Sequence, residues 1–204
     1  MFNKEITKNT AKGLRDLAVE VDQVDHQHID ELILSISFKD ITKGENGKVN
    51  ELYEQLTKWT EDNKKDRYIY IIQASDGTDR IKCHKQYEEA KEKSKESKEN
   101  YRAFARINNP SKNKKGGSIP DWKASPTLYV GSSNSISSRI KQHLGFGPNG
   151  TFALQTKYWL EGLSGGLNIT VWRFSSSIDQ DVIQALEDGL WEEHKSMFGR
   201  RGTR

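Results

Sequence analysis

The chain reads as a mixed α+β protein, and three observations carry that reading. Short runs rich in β-branched and aromatic residues at 32–38, 68–73, 127–131 and 167–174 have the length and composition of strands. The segments between them repeat apolar residues every three or four positions, the spacing of helices with one buried face. A length of 204 residues at 33% hydrophobic content suffices for one core beneath a polar surface. The expected arrangement is a small three-stranded antiparallel sheet flanked by helices in residues 63–204. An α/β appendage precedes it in residues 1–62, and a helical insertion at about 80–122 separates its first two strands.

Taken in order, the appendage opens with a helix through Leu14 and Leu17. It continues with a strand at 32–38, a turn at 43–47 where Gly44 and Gly47 permit reversal, and a helix from Val49 to Trp59. Asp22, Asp25, His26, His28 and Asp30 cluster between the first two elements. They lack the defined spacing of a metal site and read as a polar connector. The run Tyr68-Ile69-Tyr70-Ile71-Ile72 is the first strand of the main sheet. From Lys85 to Ile107, Tyr87, Ala90, Ser94, Ser97, Tyr101 and Phe104 alternate spacings of three and four, predicting one long helix that weakens where serines replace apolar residues. Its Glu89/Lys93 and Glu88/Lys91 pairs stabilise the helix more than they form a binding stripe. A glycine-bearing loop at 108–120 follows, then a strand at 127–131, helices at 135–143 and 152–161, a strand at 167–174 and a helix at 178–196.

No apolar run approaches the length of a membrane span, and the first residues lack signal-peptide character, so a cytoplasmic protein is expected. Cys83 is the single cysteine, which excludes an intramolecular disulfide and argues against a thiolate zinc site. The net charge of +3 is unevenly spread: residues 1–60, 61–122 and 123–204 carry −3, +4 and +2. The latter two thirds suit a polyanion, and the acidic first part suits a protein partner instead. Lys112, Lys114 and Lys115 in the glycine-bearing loop, and Arg200, Arg201 and Arg204 at the end, are candidate phosphate contacts, with a solvated loop and terminus as the alternative.

The densest signal is local. Tyr129-Val130-Gly131-Ser132-Ser133 is a strand running into a turn, and Ser133 or Ser135 can cap the helix that follows. Ile136, Ile140 and Leu144 form that helix's buried stripe, while Arg139 and His143 stack four apart on a neighbouring face. A tyrosine, a guanidinium and an imidazole thus sit at the end of one strand. On spacing alone the charged pair reads equally as a solvated helix flank.

Tyr129, Gly131, Ser133, Arg139 and His143 resemble, at matching offsets, the second half of the GIY-YIG endonuclease motif. Tyr68-Ile69-Tyr70-Ile71-Ile72 resembles the first half, with Tyr70 on the motif tyrosine. Glu187, after Ile183 and Leu186, matches the family's metal-holding glutamate, with Glu192 and Glu193 as alternatives. Tyr68 stands where the family usually has glycine, more than fifty residues separate the two tyrosines, and the stretch after residue 195 lacks the asparagine the family tends to carry.

The resemblance implies a metal-dependent DNA endonuclease. Tyr70 would be the general base, with Tyr129 orienting the attacking water. Arg139 would contact the scissile phosphate, His143 would hold a tyrosine, and Ser133 would touch substrate. Glu187 would anchor one Mg²⁺ or Mn²⁺. A phenol near pKa 10 needs a neighbouring cation to act as base at neutral pH, which Arg139 and the metal can supply. Two other classes remain open at this stage: a noncatalytic DNA-binding protein on a decayed nuclease fold, and an interaction module whose residues 1–62 recruit a partner.

Overall fold

Four antiparallel strands in the order β1-β4-β2-β3 organise the computed structural model, which describes residues 4–23, 28–44, 47–61, 65–97, 99, 101–108 and 122–200. The strands are β1 (His28–Ser37), β2 (Arg67–Ala74), β3 (Thr127–Ser133) and β4 (Gly166–Phe174). The helices are α1 (Lys4–Asp22), α2 (Phe38–Thr42), α3 (Gly47–Thr60), α4 (Arg80–Glu96), α5 (Ile136–Leu144) and α6 (Gln180–His194). Among the described residues, no helix is long and apolar enough to cross a membrane.

The strand sequences decide which positions in the sheet they occupy. Residues 68–72 of β2 are buried without interruption, as expected of an inner strand covered on both faces, whereas β1 alternates, with Leu34 and Ile36 buried and Ile33 66% exposed, as an edge strand does. Register pairs Tyr70 with Val171 on one side and Gly131 on the other, and Ile72 with Ile169 and Tyr129. Paired residues share a face, so Tyr70, Ile72, Val171 and Ile169 meet Leu34 and Ile36 beneath α2, α3 and α5 in the larger core. The opposite face sets Ile69, Trp172 and Phe174 against Ile178, Val182 and Ile183 of the α6 region, with Leu17 and Val21 of α1 packed alongside.

Several helix ends are set by single side chains. Asp79 caps α4 by accepting from the Lys82 amide, and Asp179 caps α6 by accepting from the Asp181 amide. Gly145, at φ 94°, closes α5 in the left-handed conformation. Cys83 is buried in the larger core, which pushes its thiol up to about 12 and leaves it a small apolar side chain.

Three expectations need correction. The sheet has four strands, because β1 pairs with β4 over most of its length. Leu34, Ile36, Phe38, Ile41, Val49, Leu52 and Leu56 therefore share the larger core with the strands that follow. The single helix expected at 85–107 ends at Glu96. Ser94 Oγ accepts from the Arg102 amide at 2.7 Å and donates to the Arg102 carbonyl at 3.0 Å, turning the chain back where serine interrupts the apolar seam. Residues 101–107 run extended and take backbone partners from Asn149, Ala153 and Gly199. The helix expected at 152–161 is a single 3₁₀ turn at Thr156–Tyr158, because the backbone before it pairs laterally with Ala103 and with a histidine ring.

Candidate active site

The β2–β3 register explains how the two halves of the motif meet. The chain leaves β2 at Ala74 and returns at Thr127, and β3 then pairs directly with β2, setting Gly131 opposite Tyr70 and Tyr129 opposite Ile72. The two tyrosine rings stack nearly parallel, with an interplanar angle of 11° and centroids 6.1 Å apart. They can do so because position 131 has no side chain. A Cβ there would lie 2.7 Å from Tyr70 Oη and 2.8 Å from Tyr129 Cε1.

Helix α5 delivers the polar groups. Ile136, Ile140 and Leu144 anchor it in the core, which turns Arg139 and His143 toward the tyrosines. Arg139 Nε donates to Tyr70 Oη at 3.1 Å, Nη2 donates to Tyr129 Oη at 3.2 Å, and Nη1 donates to Gln142 Oε1 at 2.9 Å. One guanidinium therefore spans both phenols. Burial works to discharge it, but the two tyrosines outweigh burial and hold Arg139 above its ordinary range, so it stays protonated.

His143 is fully buried and held in one tautomer. The Leu154 amide donates to its Nδ1 at 3.2 Å, so the proton of the neutral ring sits on Nε2, 2.9 Å from Tyr70 Oη. The Tyr70 oxygen thus accepts from two N–H groups, Arg139 Nε and His143 Nε2. Burial raises the Tyr70 pKa well above that of an ordinary phenol and Tyr129 adds to the rise, while Arg139 opposes it.

Tyr70 is wholly buried and Tyr129 is half-buried. The Tyr70 oxygen, expected as the general base, is thus enclosed with two donors on it. Tyr129, the less buried of the two, accepts from Arg139 Nη2, and Tyr70 accepts from Arg139 Nε. Gly199 packs on the far side of the Tyr129 ring, where a Cβ would lie 3.0 Å from Cε2. Gly199 is thereby brought beside the site, and Arg200 follows it exposed.

Glu187 comes from the other face of the sheet. Ser132 alternates with Gly131 along β3, and its hydroxyl donates to Glu187 Oε2 at 2.5 Å as α6 packs across the strand. Burial raises the Glu187 pKa, while the Ser132 bond and the charge of Arg139 oppose the rise. Glu192 and Glu193 lie exposed further along α6. Among the described residues, no group of three or more His, Cys, Asp or Glu side chains converges as a metal cage. A desolvated single carboxylate with one oxygen already hydrogen-bonded fits Mg²⁺ or Mn²⁺ held partly by water and substrate oxygens.

Tyr70, Tyr129, Arg139 and His143 therefore form one connected cluster, with Glu187 electrostatically coupled to it from behind. Ser133 instead accepts from the Ser135 amide at 3.0 Å, so its oxygen orders the turn into α5. Lys112, Lys114, Lys115 and Arg201 lie outside the described residues. Gln142, Ser132 and the Leu154 amide were not anticipated. The i,i+3 spacing of Arg139 and Gln142 was a usable signal for the first, but nothing local marks Leu154. No protein-family model, curated protein or solved structure matches the chain.

The buried imidazole makes stability pH-dependent. Burial first, and Arg139 second, hold the His143 pKa well below 6.5, so the unfolded chain binds a proton that the folded one does not. Stability should be fullest above pH 6.5 and fall as the pH drops toward the folded-state value, with a limiting slope of about 1.4 kcal/mol per pH unit. Glu187, raised by burial, contributes in the opposite sense, so the comparison must be made within a pair of proteins. Urea midpoints between about pH 7.5 and 5.5 should show a steeper acid loss in the wild type than in His143→Gln. Equal slopes would remove His143 as the cause.

Proposed function

We propose that this protein is a metal-dependent DNA endonuclease of the GIY-YIG type. The observation that carries the reading is the single charged guanidinium of Arg139, donating at once to the hydroxyls of Tyr70 and Tyr129. Hydrolysis of a phosphodiester needs a water oriented and stripped of its proton, and a cation where charge builds on phosphorus oxygens. Tyr129, half-buried and bonded to Arg139, is the group placed to take the water's proton once its own hydroxyl proton has passed to solvent. Arg139 offers its planar fork to the phosphate as the tyrosine contacts loosen. Tyr70 and His143 fix the guanidinium and exclude water behind it.

Glu187 would hold the Mg²⁺ or Mn²⁺ ion, with Ser132 fixing its carboxylate. When bound, such an ion neutralises phosphate charge and stabilises the leaving oxygen. A noncatalytic DNA-binding protein is the second reading, favoured by the full burial of Tyr70.

Supercoiled plasmid incubated with protein and Mg²⁺ or Mn²⁺ tests both. Metal-dependent nicking is expected, lost in EDTA and in Glu187→Ala, and reduced by about 10²- to 10⁴-fold in Tyr129→Phe. Tyr70→Phe should lose thermal stability as well as activity, since it strands two buried N–H donors at about 1–3 kcal/mol each. Intact plasmid beside a salt-sensitive shift on DNA would favour the noncatalytic reading. Nicking that survives Tyr129→Phe would return the base role to Tyr70.

A further inference from the structure

A cavity of about 330 Å³ opens between the end of α4, the extended segment at 101–107 and the 3₁₀ turn at Thr156–Tyr158. Lys93, Arg102 and Asn149 supply its polar wall, and Phe104 and Tyr158 its aromatic one; among the described residues, no acidic side chain lines it. Its volume is at the small end of the range for ligand sites. The Arg102 guanidinium lies over the Tyr158 ring at 3.9 Å, and its Nη1 is shielded from solvent and finds no acceptor among the described residues. A buried guanidinium nitrogen without an acceptor is costly to maintain, and a ligand oxygen would satisfy it. Tyr158 remains 40% exposed, and Lys93 is exposed on the rim.

Two short segments join this cavity to the cluster around Arg139. Asn149, on the cavity wall, is five residues before Leu154, whose amide holds His143, a reach of at most about 18 Å. Arg102 is four residues before Arg106, whose carbonyl accepts from the Gly199 amide where Gly199 packs on Tyr129.

Building on the endonuclease reading, we propose that this cavity takes an unpaired nucleotide of the DNA substrate, its phosphate against Lys93 and Arg102 and its base against the exposed part of Tyr158. Only an unstacked base presents a face to such a wall, so the preferred substrate carries single-stranded DNA close to the cleaved bond.

Fluorescence anisotropy in EDTA, with a labelled 12-nucleotide single strand and the matching duplex, tests this without relying on cleavage. Tyr158→Ala should weaken single-strand binding by about 5- to 100-fold. Lys93→Ala, at an exposed position tolerant of change, should weaken it less and lower the salt slope by about one. Neither should alter duplex affinity to that extent. Unchanged single-strand affinity in both variants, or no single-strand binding by the wild type, overturns the proposal. So does competition by inorganic phosphate as effective as that by a dinucleotide, which would mark a simple anion site. Single-strand binding sensitive to both variants, in a protein that cleaves nothing, would leave the cavity standing and sink only the endonuclease reading. Cleavage with no sensitivity to either variant would do the reverse.

Discussion

Arg139→Ala should lower cleavage by about three orders of magnitude while DNA affinity changes little. Removing one preorganised donor from a charge-stabilising site typically costs 10²- to 10³-fold, and an arginine supplied to a phosphoryl centre is worth about 10³- to 10⁵-fold. On the endonuclease reading one side chain would do both jobs, since Arg139 donates to Tyr129 and carries the charge that would be offered to the phosphate. Arg139→Lys should recover little. An ammonium keeps the charge, but it lacks the fork that reaches Tyr70, Tyr129 and Gln142 together. Single-turnover nicking rates and anisotropy on the same preparations separate the two effects. The salt slope should fall by about one phosphate contact, because Arg139 contributes one cation among several. A variant within tenfold of the wild-type rate would remove Arg139 from the chemistry.

That expectation draws on residues visible in the sequence, and it is worth asking why they were visible. Arg139 and His143 lie on one helix with Ile136, Ile140 and Leu144, so a local period fixes both their face and their distance from the end of β3. Tyr70 and Tyr129 required the two strands to pair across residues 71–128, which no local pattern encodes. The roles of the tyrosines were less legible than their positions. Which phenol is the more buried depends on packing of α5 and Gly199 around the rings, which no local pattern encodes. Leu154 was illegible altogether. Its amide reaches His143 because Ala153 beside it bridges to Ala103 and Phe104 and does not continue a helix, whereas the apolar spacing of this segment resembles one.

The same distinction runs through the fold. Strands β2, β3 and β4 and helix α5 follow from periods contained in short windows. The edge strand β1 was seen as a strand, but its membership in the main sheet is a long-range fact set by pairing with β4, 133 residues away at the Ser35–Asn168 hydrogen bond. The end of α4 turned on competition between helical continuation and side-chain bonds from Ser94, a contest that spacing alone does not weigh.

Gly131→Ala should disable the site from the inside. In the sequence this glycine reads as a turn residue; in the structure it sits inside β3, buried and paired with Tyr70, and its requirement is space. The added Cβ would lie 2.7 Å from Tyr70 Oη, 2.9 Å from Tyr70 Cζ and 2.8 Å from Tyr129 Cε1, closer than carbon contacts allow. Tyr70 has little freedom to move aside. Its ring is fully buried, and its oxygen is tied to both Arg139 and His143. The variant should lose about 1–3 kcal/mol of stability from overpacking, which for a chain of this size is a fall in Tm of roughly 2–12 °C. It should lose most cleavage with it, because the guanidinium is displaced from the tyrosines. A general weakening of β3 would give the same Tm, so the decisive variant is Gly131→Ala combined with Tyr70→Phe. Removing the hydroxyl removes the nearest atom in the clash, so the double variant should be less destabilised than the two single losses added together. Strict additivity would mean that Gly131 matters for the strand and not for the room it leaves the tyrosine.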